Sequence, residues 1–143
     1  MIKAVIDTNV LVSAFWTKNS QSPTVRIADA ITKNLFVPLY SPEMIAEYRE
    51  VLTRSKFNFS DDEVRSLVDH IVTHGELVVP AKTDVHFSDP DDKVFFCTAM
   101  SAITDDPMLV TGNKKHYPPV DFVVSPAEFC ELGMQLTQPT TTC

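Results

Sequence analysis

Apolar and polar positions fall in blocks along this chain, and the blocks set the order of its elements. Ile2 to Ile6 is a short, almost wholly apolar run, the pattern of a strand buried on both faces of a parallel sheet. It ends on Asp7-Thr8-Asn9, after which the chain turns apolar again. Residues 24–33 carry Val25, Ile27, Ala28 and Ile31 at helical spacing behind the helix-start pair Ser22-Pro23. Leu35 to Tyr40 predicts a second strand, pushed towards a sheet edge by Pro38, which has no N–H to give to a ladder. Ser41-Pro42 opens a helix with Ser as cap and Pro in the first turn. A further helix runs from Ser60 to His74 and stops at Gly75. Leu77-Val78-Val79 predicts a short strand, and Ser88-Asp89-Pro90-Asp91-Asp92 starts a helix that reaches Ala102. Met108 to Thr111, stopped by Gly112, and Phe122 to Val124 are the remaining strands; Ser125-Pro126 starts the last helix.

Strands alternating with helices need crossover connections, which implies an α/β fold of three layers, α/β/α, around a central, mostly parallel, Rossmann-like sheet. Ligands of such sheets sit outside the carboxyl ends of the strands, so residues that directly follow a strand become candidates for chemistry. No repeat or linker divides the chain. One domain is expected over residues 1–133, followed by a disordered tail over 134–143, where Thr137-Gln138-Pro139-Thr140-Thr141-Thr142-Cys143 is low in complexity.

Composition narrows the class. With 143 residues, 44% of them hydrophobic, the chain has room for one domain with a real core. No apolar run approaches the ~18 residues of a membrane span, and Asp7 arrives too early for a signal peptide. Cys97, Cys130 and Cys143 are odd in number and widely spaced, which argues for a reducing, cytoplasmic setting rather than a disulfide framework. The net charge of −7 opposes generic binding to nucleic acid. Action on RNA would therefore need bound cations and a local basic patch; the plain alternative is that the charge keeps the protein soluble.

The acids sort by position. Asp7 follows the first buried strand and should stand at the carboxyl edge of the sheet, either as a functional group or as a cap for the segment after it. In the helix after Ser41-Pro42, an apolar stripe centred on Tyr48 takes in Met44, Ile45, Val51 and Leu52 within about 60° at 100° per residue. Glu43 and Glu50 then face water, whereas Glu47 lies on the shoulder at about 100°, from which it can reach a cleft. Asp89, Asp91 and Asp92 crowd the first turn of the next helix. Capping explains them in part, but three carboxylates within four residues repel one another, and a cation would relieve that cost. Oxygen ligands of this kind suit Mg²⁺ or Mn²⁺. Asn113, in Thr111-Gly112-Asn113, should share the edge of Asp7, while Asp105, Asp106 and Asp121 precede strands and belong to the opposite one.

No nucleophile competes: Ser13 and Cys97 have no nearby His, and the i, i+4 pair His70 and His74 has no third ligand. Lys114, Lys115 and His116 just past Asn113, with Arg49 and Arg54 near Glu47, are candidates to hold RNA phosphates, or else a solvated charge run. Phe15 and Trp16 are suited to stacking a base or to a core or interface. A phosphatase of the haloacid-dehalogenase-like type also places an Asp after its first strand, but needs a second acid two residues on, where Asn9 stands.

Four segments carry a resemblance: Val5-Ile6-Asp7-Thr8-Asn9-Val10-Leu11, Ser41 to Leu52, Asp89-Pro90-Asp91-Asp92, and Leu109-Val110-Thr111-Gly112-Asn113. In order and spacing the chain resembles PIN-domain proteins from Ile2 to about Glu131, in the branch of VapC-type toxins of toxin–antitoxin pairs. The resemblance implies a PIN-like fold and a Mg²⁺- or Mn²⁺-dependent endoribonuclease. It implies Asp7, Glu47 and Asp92 as metal-binding acids, with Asp89 and Asp91 beside them, Thr8, Asn9 and Thr111 in support, and Asn113 as the fourth catalytic corner. It further implies an RNA substrate, a cognate antitoxin protein and a homodimer. The chain departs from the pattern at Asn113, where the family most often has aspartate, and that keeps open a module which binds RNA or a partner without cutting.

Overall fold

The computed structural model describes residues 1–132, so the tail expected over 134–143 lies outside the described residues. Lys3–Ile6 forms β1, the middle of a five-stranded sheet with β2 (Val37–Tyr40), β3 (Glu76–Leu77), β4 (Met108–Val110) and β5 (Val123–Val124). The order across the sheet is β3-β2-β1-β4-β5 and every pairing is parallel. Ala4, Val5 and Ile6 are at most 1% exposed, as a central strand covered on both faces requires. Burying a Val or Ile side chain stabilises by about 1.5–3 kcal/mol, so this short run anchors the core.

Six helices cover the sheet: α1 (Thr8–Trp16), α2 (Pro23–Thr32), α3 (Pro42–Leu52), α4 (Asp61–His74), α5 (Pro90–Ser101) and α6 (Pro126–Leu132). Ser41 and Ser60 cap α3 and α4 by accepting from the N–H groups of Met44 and Glu63. Ser22 stands at the start of α2, but its hydroxyl meets that of Thr24 instead of capping the backbone. The helix α1 is the segment for which Asp7 was one candidate cap; its buried residues Thr8, Val10 and Leu11 follow the acid directly. Helical crossovers carry the chain from β1 to β2 to β3, and α2 packs against α1, α4 and α6. The return to β4 puts α5 on the other face, against β1, β2 and β4. There Phe95 to Ala99 are all buried, because Phe87 closes over Phe96 from the segment before the helix.

The winding direction reverses between β1 and β4, and such a reversal leaves a crevice outside the carboxyl ends of the two strands. The Asp7 N–H donates to the Val110 carbonyl at 2.9 Å, extending the ladder to the lip of that crevice. At the amino edge, Lys3 pairs with Glu76 at 2.8 Å and with Asp105 at 3.4 Å.

Two expectations are corrected. Pro38 does not mark an edge, since β2 lies between β3 and β1. Val37 donates to Ile2 in one direction and the Tyr40 carbonyl accepts from Val78 in the other. Pro38 shares the orientation of Tyr40, so its missing N–H faces the β3 side before pairing there begins at Leu39 and Glu76. The third strand is Glu76–Leu77, with Val79 left 82% exposed. Gly75 ends α4 as the sequence indicates, with φ at −81°. It is needed for space, because a Cβ there would meet the Ile71 carbonyl oxygen at 2.4 Å and that of Pro38 at 2.5 Å.

Gly75→Ala is accordingly expected to destabilise the fold by about 1–3 kcal/mol, the usual cost of overpacking. Urea unfolding would record this as a lower midpoint at unchanged slope; an unchanged midpoint would mean that the backbone around Gly75 yields without cost.

Candidate functional site

Asp7 occupies the N-cap position of α1, yet its side chain makes no capping bond. Its Oδ2 instead accepts from three donors: Thr111 Oγ1 at 2.8 Å, Tyr117 Oη at 2.9 Å and Asn9 Nδ2 at 3.3 Å. Only 4% of Asp7 is exposed. Burial pushes its pKa up, and the bonds from Thr111 and Tyr117 only partly offset that. The Asn9 side chain reaches across the crevice as well, its Oδ1 accepting from the Gly112 N–H at 3.0 Å.

Glu47 stands on the half-buried shoulder of α3, while Glu43 and Glu50 face water as the helical geometry predicts. Thr8 Oγ1 donates to Glu47 Oε2, tying the start of α1 to α3. The next residue, Tyr48, is fully buried and donates its hydroxyl to the Ile6 carbonyl. This one hydroxyl fixes α3 against the end of β1, and with it the position of Glu47 relative to Asp7. Burial raises the Glu47 pKa to about 7, the Thr8 bond opposing, with Asp91 adding to the rise by its charge and as an acceptor, and Asp7 by its charge. Asp92 is pushed to about 6, by burial first and then by the charges of Asp7, Asp89 and Asp91, against the pull of His116. The Nδ1 of His116 lies 3.6 Å from Asp92 Oδ2.

Asp7, Glu47, Asp91 and Asp92 therefore come from three separate elements at one edge of the sheet, where the charges of Asp7 and Asp91 bear on both Glu47 and Asp92. Among the described residues, no three His, Cys, Asp or Glu side chains converge as a ready-made metal cage. The chemistry of the donor set nonetheless fits a hard divalent ion: crowded carboxylates that hold protons above their ordinary range are those a cation would relieve. Asp89 stands apart from them in role. It is exposed and caps α5 by accepting from the Asp91 N–H at 2.9 Å.

The remaining candidates divide. Lys115 and His116 line a cleft of about 510 Å³ together with Phe87, Asp89, Asp92 and Tyr117. Lys114 is held by Glu128 at 2.9 Å, and Arg49 by Asp69 of α4 at 2.9 Å. Arg54 pairs with Glu50 at 2.8 Å but still feels the charges of Glu47 and Asp91. Thr111 is fully buried and supports both Asp7 and the Asn113 N–H. The exposed Asn113 lies at the same edge, just past β4. Phe15 packs on Phe59, whereas Trp16 is 63% exposed and sits edge-on to Phe57 and Phe59, at the far end of α1 from Asp7. His70 bonds Asn34 at 2.9 Å. The buried Cys97 has its thiol pushed up by burial, the opposite of an activated nucleophile.

Sequence reasoning missed Tyr117 and the hydroxyl of Tyr48. Tyr48 was placed in the apolar stripe, where its ring belongs, but no spacing rule shows where a phenol will find an acceptor. Tyr117 follows a single 3₁₀ turn, Lys114–His116, that turns it inward; only its place near Asn113 was a signal.

Comparison with known families matches the PIN domain over residues 3–115, a span containing Asp7, Glu47, Asp92 and Asn113. No curated protein matches the chain significantly.

Glu47 and Asp92 are both shifted upward, so the metal-free folded chain keeps protons that the unfolded chain has released, and stability falls as pH rises from about 4 through about 7. In EDTA, Glu47→Gln is expected to melt above the wild type at pH 8, with the gap narrowing towards pH 5. A gap that does not change with pH would place Glu47 in the ordinary carboxylate range.

Proposed function

The chain belongs to the PIN-domain family, and from that premise we propose that it is a Mg²⁺- or Mn²⁺-dependent endoribonuclease, the toxin of a toxin–antitoxin pair. PIN domains are generally nucleases, and the fold is of that kind. One observation carries the reading: Asp7 after β1, Glu47 on α3 and Asp92 on α5 stand at the topological switch of the sheet, with the Asp7 pKa raised by burial and those of Glu47 and Asp92 raised by burial and by the charges of neighbouring acids, Asp7 among them.

In this reading Asp7, Glu47 and Asp92 hold the metal, with Asp91 next to them. A divalent cation so held supplies charge for the phosphoryl oxygens and an activated water, so no nucleophilic side chain is required. The chain's own residues orient the acids: Thr8 holds Glu47, while Thr111 and Asn9 hold Asp7. Lys115, with no ion pair among the described residues, lines the cleft beside Asp92 and suits a backbone phosphate. Lys114, Arg49 and Arg54 already have acidic partners, so their contribution to RNA would require exchanging an ion pair for a phosphate. The cognate antitoxin and a homodimer follow from the resemblance to VapC-type toxins; a small reading frame beside this one, whose product suppresses the activity, would support that role.

Asn113 favours the second reading, a PIN domain that binds RNA or a partner without cutting. It brings an exposed amide and no charge to the acidic edge.

RNA cleavage in Mn²⁺ or Mg²⁺ decides between them. The wild type is expected to cut structured RNA, and Asp7→Asn to lose on the order of a hundredfold or more in rate. Cleavage only by Asn113→Asp would defeat the enzyme reading and leave the binding one. Separately, excess Mn²⁺ is expected to raise the melting temperature of the wild type, and less so that of Asp92→Asn. Identical melting curves with and without metal would count against any cation at this edge.

A further inference from the structure

Resting on the metal-dependent reading above, we propose that Asp7 presents a single oxygen, Oδ1, to a divalent cation, and that Tyr117 is the positioning residue that holds it in that pose. The geometry is asymmetric. Oδ2 accepts from Thr111 at 2.8 Å, Tyr117 at 2.9 Å and Asn9 at 3.3 Å, which exceeds the roughly two lone-pair sites of one carboxylate oxygen. Oδ1 receives no side-chain donor among the described residues; the backbone N–H groups of Thr8 and Asn9 also favour the ionised carboxylate. A carboxylate locked through one oxygen cannot swing to bind through both.

Of the three donors, Tyr117 is the one that comes from outside the strand ends. Asn9 follows β1 and Thr111 follows β4, whereas Tyr117 closes over Asp7 from the loop beyond the Lys114–His116 turn. It lies two residues past the span matched by the PIN domain. Its ring is 6% exposed and packs edge-on to Phe87 at 5.9 Å, and its N–H is anchored on the Lys114 carbonyl at 3.0 Å. The phenol is therefore fixed before any ligand arrives. Partners that orient a metal-binding group in this way typically contribute 10- to 100-fold to metal affinity. A merely structural role, satisfying a buried carboxylate, would show in stability instead.

The test is Mn²⁺ titrated calorimetrically, without RNA, into the full-length wild type, Tyr117→Phe and Thr111→Val. Tyr40→Phe serves as the control, since it deletes a phenol that donates to the Val72 carbonyl, away from Asp7. Tyr117→Phe is expected to bind Mn²⁺ about tenfold more weakly, a loss that persists in titrations run well below the variant's own metal-free melting temperature. Thr111→Val should weaken binding in the same direction, and Tyr40→Phe should match the wild type. With RNA, Tyr117→Phe should lower kcat and leave KM in place. Wild-type Mn²⁺ affinity in Tyr117→Phe overturns the proposal, whatever Thr111→Val does, as does a wild type that binds no Mn²⁺. Mn²⁺ binding that depends on Tyr117, in a protein that cuts no RNA, upholds it and defeats the nuclease reading alone.

Discussion

A carboxylate buried where two parallel strands end must be met by donors from more than one element, and that requirement organises this protein. Asp7 is taken from water by the strand that precedes it and cannot be reached by enough of its own neighbours. Its partners arrive from Thr111 after β4 and from Tyr117 beyond the next turn, so the β1–β4 pairing and the loop that follows are held by the same atom. A second constraint runs alongside. The buried Tyr48 hydroxyl on the Ile6 carbonyl sets α3 against the end of β1, and the Thr8 hydroxyl on Glu47 repeats the connection one step later. Fold and site are in this sense one network: the contacts that close the sheet are those that bring the acids together.

Charge is distributed to match. The amino edge is compensated, with Lys3 between Glu76 and Asp105. The carboxyl edge is not. His116 stands beside Asp92, but Lys114 and Arg49 are engaged by acids elsewhere, and Arg54 is divided between Glu50 and the more distant pull of the cluster. A chain of net charge −7 thus concentrates its unrelieved repulsion at the switch point of the sheet. That is a poor surface for a polyanion and a good one for a divalent cation, which is why metal and nucleic acid have to be considered together here.

Much of this was legible in the sequence because the signals were local. Ser41-Pro42, Ser60-Asp61 and Asp89-Pro90 each mark a helix start that the structure contains. The 100° helical period separated Glu47 from Glu43 and Glu50 with no tertiary information. What failed was non-local. The run after Asp7 carried no bounds, because Asp7 offered a cap for the segment after it but no apolar spacing there marked where α1 would end. Pro38 suggested an edge because the rule knows only that an N–H is missing, not which side it would have faced. Gly75 was legible as a helix stop, but the space it leaves for the Pro38 carbonyl, almost forty residues away, was not. The hydroxyl of Tyr117 belongs to the same class, since its acceptor is separated from it by 110 positions.

The outermost strands have a consequence of a different kind. β3 and β5 are two residues long each, so the sheet that is deepest at its centre tapers to almost nothing at its borders. An all-parallel sheet with long open borders would offer foreign extended chains a row of unpaired amides to copy. Here the template is barely two residues wide on either side, and one of them begins at an ionised Glu76–Lys3 pair. The same economy that leaves β1 and β4 to carry the core also makes the protein a poor seed for β-aggregation, even while its central strands are as apolar as any that aggregate.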